Sequence, residues 1–148
     1  MSLNWCIFAV QRLRDYESRK EALENLAEQI AGLEDRFTAI RSATTDSTPV
    51  QGGNDNRQEQ MLIYNIATRE ELQKNMEIIK KEIAVTEKAL NTLTESEKKI
   101  LTRFYINRSK GYVDRLCEEL YISKTELYRQ KEDALKKFTM LCYGIVEL

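Results

Sequence analysis

Histidine is missing altogether from this 148-residue chain, and no serine or cysteine has a recognisable activating partner. The commonest general base and the activated nucleophile are therefore both absent, which makes an enzyme the weakest functional class. The many carboxylates stand mostly among lysines on solvated helical faces. Even the adjacent pair Glu118-Glu119 points in two directions on a helix, a poor arrangement for a shared proton or a metal. Cysteine is sparse: Cys6, Cys117 and Cys142 are odd in number and far apart. That excludes a disulfide framework or a zinc site and fits a reducing cytoplasm. Cys117 reads as a small core residue. Proline occurs once and glycine five times, and strand signals are essentially lacking. The one apolar opening, Leu3 to Val10, has no charged leader and is too short to span a membrane. A cytoplasmic protein with no cofactor, no metal and no membrane contact is the expectation.

What the chain does have is helical pattern. With 42% apolar and 32% charged residues, the composition fits a soluble, all-α protein. Tyr16, Leu23, Ile30 and Phe37 recur every seven residues, with Leu26, Leu33 and Ile40 as the second row of the same seam. Further on, Leu62, Met76, Ile83 and Leu90 make a third row, and Leu72, Ile79 and Leu93 a fourth. Polar breaks fall at Arg69 and Thr86. Two helices of about 35 residues, on the order of 50 Å each, are expected to pack seam to seam as a long antiparallel, coiled-coil-like hairpin. Between them, residues 42–58 gather the only proline and the Gly52-Gly53 pair among small polar residues, so a loop is expected there. Gly-Gly without the wider phosphate-binding pattern gives no support for nucleotide binding. The domain reading is residues 1–93 for the hairpin and 94–148 for a second module.

The second module opens on Thr94-Glu95-Ser96-Glu97, a capping box ahead of the apolar face of Ile100, Leu101 and Phe104. A helix should then start near Gly111 or Tyr112, with Asp114 in its first turn and Val113, Leu116, Cys117 and Leu120 inward. A second capping box, Ser123-Lys124-Thr125-Glu126, launches a helix whose buried stripe is Leu127, Ala134, Leu135 and Phe138. Two helices meeting across so short a turn form a helix-turn-helix, in which the second helix presents its first residues to the DNA major groove. Ser123, Lys124, Thr125, Tyr128 and Arg129 are the expected contacts from that helix. Arg103, Arg108 and Lys110 are expected beside it. Tyr121 stands at the turn where many such motifs carry glycine, so a turn of another shape, without positive φ, is anticipated. Glu132 is a poor neighbour for phosphate.

The stretch TESEKKILTRFYINRSKGYVDRLCEELYISKTELYRQKEDALKKF resembles region 4 of bacterial sigma factors. In the order of its parts, the whole chain resembles phage ArpU/RinA-type transcriptional regulators. That resemblance implies double-stranded DNA as the ligand, a recognition helix beginning at Ser123, and control of phage or prophage genes. The N-terminal hairpin would then serve self-association or contact with RNA polymerase.

Charge is a weak guide, because residues 94–148 hold 11 Lys and Arg against 9 Asp and Glu. Any DNA affinity must depend on where the cations sit and fall steeply with salt. Apolar residues at both ends, Trp5, Ile7 and Phe8 and then Phe138 to Val146, suggest a homodimer. The alternative is that the ends cover each other within one chain. Two other functions stay open: a coiled-coil adaptor that binds only protein, and a small DNA-recognition subunit of a phage packaging machine.

Overall fold

The computed structural model describes residues 3–46 and 54–145. Every regular element among them is helical: α1 (Trp5–Asp46), α2 (Asn54–Thr92), α3 (Glu95–Leu101), a π turn (Thr102–Ile106), α4 (Tyr112–Leu120) and α5 (Lys124–Tyr143). The fold class is all-α. Both long helices run further toward their connection than the composition of 42–58 suggested, since α1 continues to Asp46 and α2 begins at Asn54. Once a helix is nucleated each added residue costs little, and Asn54 and Asp55 are residue types that favour a helix start. The middle of the expected loop, Ser47 to Gly53, lies outside the described residues.

Packing divides the chain into two units, one of residues 21–81 and one of residues 1–20 with 82–148. This division falls at residues 20 and 82, not at the 93/94 boundary read from sequence.

In the first of these, positions in α1 rise as those they face in α2 fall: Leu33 opposes Asn65, and Ile40 shares a groove with Arg57. Leu23, Ile30, Phe37, Leu26, Leu33 and Ile40 are all buried or half-buried, as are Leu62, Leu72, Met76 and Ile79. Their spacing of seven keeps them on one face. The polar break carries its own bonds. Asn65 is buried and donates to the Leu33 carbonyl at 2.9 Å, while Arg69 Nε donates to Asn65 Oδ1 at 2.9 Å and lies 4.9 Å over the Phe37 ring.

The other unit is built from two stretches of chain. Ala9 and Leu13 of α1, Ala89, Leu90 and Leu93 around the end of α2, Leu101 of α3, and Ala134, Leu135 and Phe138 of α5 form one buried cluster. Trp5 packs against Tyr143 with ring centroids 5.1 Å apart, and Thr139 points its hydroxyl at Cys6 Sγ, 3.7 Å away. The apolar ends thus partly cover each other, while Leu3, Ile7, Phe8, Met140, Leu141 and Ile145 remain exposed. Arg12 ties the stretches together. Its guanidinium meets Glu82 Oε2 at 2.7 Å and donates to the Glu82 carbonyl and to Tyr143 Oη, each at 3.0 Å. At the second polar break, Thr86 is buried and donates to the Glu82 carbonyl at 3.0 Å. Among the described residues, no helix is long and apolar enough to cross a membrane.

Candidate nucleic-acid interface

The segment from Thr94 onward is organised by its caps. Thr94 closes a complete capping box: its hydroxyl accepts the Glu97 amide at 3.2 Å, and Glu97 Oε1 accepts the Thr94 amide at 3.1 Å. Glu97 also receives Lys137 of α5 at 3.0 Å. Burial works to raise the Glu97 carboxyl pKa, but the hydrogen bonds from Lys137 and Thr94 outweigh it and hold the value below the ordinary one. The helix then widens into the π turn, where the Asn107 amide reaches back to the Thr102 carbonyl at 2.7 Å. Phe104 on that turn enters a second buried cluster with Ile100, Leu116 and Leu127. Tyr112 and Tyr128 stand edge-on to the Phe104 ring at 5.1 and 5.8 Å.

Gly111, at φ 73°, supplies the left-handed step that starts α4. Tyr121 ends α4 in the same region at φ 55°, which corrects the expectation that a tyrosine there gives a turn of another shape. The reason lies in the backbone: with Tyr121 left-handed, the Ile122 amide reaches the Cys117 carbonyl at 3.1 Å, and one of the last carbonyls of α4 is satisfied. The side chain is 94% exposed, so nothing packs against it to force the conformation. Three residues, Tyr121, Ile122 and Ser123, separate α4 from α5.

Ser123 caps α5 by accepting the Glu126 amide at 3.2 Å. The reciprocal half of the expected box does not form, because the Glu126 carboxylate turns to Arg129 and to Gln130 (3.1 Å) instead. Arg129 is held from both sides. Its Nε donates to Glu126 Oε2 at 2.9 Å, its Nη2 donates to Glu126 Oε1, and its Nη1 donates to Asp133 Oδ2 at 2.9 Å. The hydrogen bond from Arg129, then that from Gln130, hold the Glu126 carboxyl down at about 2. The guanidinium pKa is raised in turn.

The other expected contacts are distributed as follows. Lys124 and Thr125 are exposed on the first turn of α5, with the Lys124 ammonium 3.6 Å from Asp114 of α4. Tyr128 is 45% exposed, because its ring also packs on Phe104. Arg103 approaches Glu119 of α4 at 3.5 Å, and Lys99 reaches the same carboxylate at 2.9 Å. The bond from Lys99, then the pull of Arg103, lower the Glu119 pKa, so Glu119 ties α4 to α3 and the π turn and is more than solvated surface. Arg108 lies 5.1 Å over the Tyr112 ring and donates to its hydroxyl at 3.0 Å. Lys110 is exposed. Glu132 pairs with Lys131 at 3.1 Å.

Sequence reasoning named the cations and missed their acids. Glu126 and Asp133 lie three and four residues from Arg129, a spacing that was there to be read. Asp114 and Glu119 meet their partners only through the fold. The result is a surface on which three of the expected cations, Arg103, Lys124 and Arg129, already hold carboxylates. Among the described residues, no group of three or more acidic, cysteine or histidine side chains is arranged to hold a metal ion.

These helices fall within a known family. The model for the DUF1492 proteins of unknown function matches residues 39–139, more than half of the chain, and the chain belongs to that family. The match takes in all of α2 and reaches into α5. The chain matches no curated protein and no solved structure.

Proposed function

We propose that this protein is a sequence-specific, non-enzymatic DNA-binding regulator of phage or prophage type. In this reading α4 and α5 form a helix-turn-helix similar to sigma factor region 4, and the long helices serve self-association or contact with RNA polymerase, as the likeness to ArpU/RinA-type regulators implies. One observation carries it. Ser123 caps α5 at the end of the three-residue connection from α4, Lys124, Thr125, Tyr128 and Arg129 follow in the first two turns of the helix, and all five are exposed. A helix in that position can enter the major groove with its N-terminal residues toward base edges.

The test is selection of bound sequences from a randomised duplex pool at near-physiological salt, with the Lys124→Ala, Arg129→Ala double variant as control. Enrichment of one motif by the wild type alone is expected. No enrichment by a folded wild type overturns the reading.

A protein-binding adaptor is the second reading, and it too has an observation in its favour. A groove of about 530 Å³ lies between the Thr92–Thr94 connection and the end of α5, with Leu93, Met140 and Leu141 in its lining and Lys136 and Lys137 beside it. Such a surface suits an apolar side chain of a partner better than it suits DNA.

A further inference from the structure

The acids around Arg129 bear on what that arginine is able to read. A guanidinium has five N–H donors. Glu126 takes the one on Nε and one on Nη2, and Asp133 takes one on Nη1. One N–H therefore remains on each terminal nitrogen, the number a bidentate contact to the O6 and N7 acceptors of guanine requires. Charge divides the possible ligands further. Arg129 with two carboxylates is a cluster of net charge −1, and Glu126 is also held by Gln130, so it is not simply released when a ligand arrives. A phosphate approaching this cluster brings a full negative charge against two others. A base edge brings only partial charges and meets no such opposition.

We propose that Glu126 and Asp133 are positioning residues that make Arg129 a reader of a base edge, guanine by its donor pattern, and bar it from phosphate. This deepens the DNA-binding reading and rests on it. The clamp trades non-specific affinity for selectivity: a protein with a formal net charge of −1 that masks its best-placed arginine stays off random DNA and engages only where a purine acceptor pair is presented. Lys124, 3.6 Å from Asp114, has a single, longer-range partner and is left to the backbone.

The experiment compares full-length wild type with Glu126→Gln, Asp133→Asn and the double variant. All preserve side-chain volume, and far-UV circular dichroism checks their helix content. Each protein is titrated against a random-sequence duplex over a series of salt concentrations and is put through the same pool selection. The double variant is expected to bind random duplex about tenfold more tightly, with a salt slope steeper by about one. Its selected motif should lose a guanine preference that the wild type shows. If the wild type selects a motif and the variants equal it in random-duplex affinity, slope and motif, or bind more weakly, the masking role is wrong and the DNA-binding reading survives. If folded wild type and variants all fail to bind duplex, both fall together.

Discussion

At the scale of single residues, the least expected finding is a tyrosine in a left-handed backbone. A non-glycine residue in that region costs about 1–2 kcal/mol, and glycine at the same place gives back about 0.5–1 kcal/mol through the entropy of the unfolded chain. Because Tyr121 is 94% exposed, no packing is lost when its side chain is removed. Tyr121→Gly is therefore expected to stabilise the protein by about 0.5–1 kcal/mol, a rise in melting temperature on the order of 1–3 °C. A thermal or urea melt with a lower midpoint would mean that the ring makes a contact worth more than the strain. Glu126 offers a second test. A carboxyl depressed to about 2 in the folded protein against an ordinary value near 4.3 contributes its stabilisation in full above the ordinary range and loses it as pH falls through about 2. Side-chain carboxyl resonances should show this low midpoint for Glu126 in the wild type and a return toward the ordinary value in Arg129→Ala. An ordinary midpoint in the wild type would show that the clamp on Arg129 does not persist in solution. Cys142 behaves in the opposite sense, since burial pushes its thiol up to about 11, which suits a packed side chain and not a reactive one.

At the scale of elements, local pattern was readable where local physics decides. The heptad rows are inward along both long helices because spacing of seven keeps residues on one face whatever lies beyond it. The two capping boxes separate the readable from the unreadable. At Thr94 both reciprocal bonds form. At Ser123 only one does, since Arg129 one turn along competes for the Glu126 carboxylate with a charge-assisted, two-pronged bond that the Ser123 amide cannot match. The motif alone gives no ranking of those two partners. Nor did it announce the π turn, which sets Phe104 among Ile100, Leu116 and Leu127 through a single widened turn. Thr94→Ala should cost about 1 kcal/mol, while Thr94→Ser, which keeps the hydroxyl, should cost little. Equal losses in chemical melts of the two variants would place the contribution in the threonine methyl group and not in the cap.

At the scale of the whole molecule, the apolar ends of the chain signalled an interface, but nothing in the sequence chose between pairing across a homodimer and covering each other in one core. Heptad spacing describes how a helix pairs along its length, but it does not say where along that length the partner changes. Arg12 shows the difficulty. In sequence it is one more cation on an amphipathic helix, whereas in the fold its bonds to Glu82 and Tyr143 join three distant stretches of chain. Likewise Ala9 and Leu13 are fully buried against residues that follow them by some eighty to a hundred and thirty positions. The boundary at residue 93, drawn where a cap begins a new helix, would strand Leu101, Ala134, Leu135 and Phe138 without Ala9, Leu13, Ala89, Leu90 and Leu93. Fully burying one leucine or phenylalanine side chain is worth about 1.5–3 kcal/mol, and a domain has only about 5–15 kcal/mol to lose. A fragment of residues 94–148 is accordingly expected to keep helical far-UV dichroism but to lose near-UV signal and a cooperative thermal transition, whereas the intact chain retains both. If that fragment instead melts cooperatively at the temperature of the full chain, the Arg12 and Leu13 packing is dispensable to the C-terminal helices, and residue 93 is a true folding boundary.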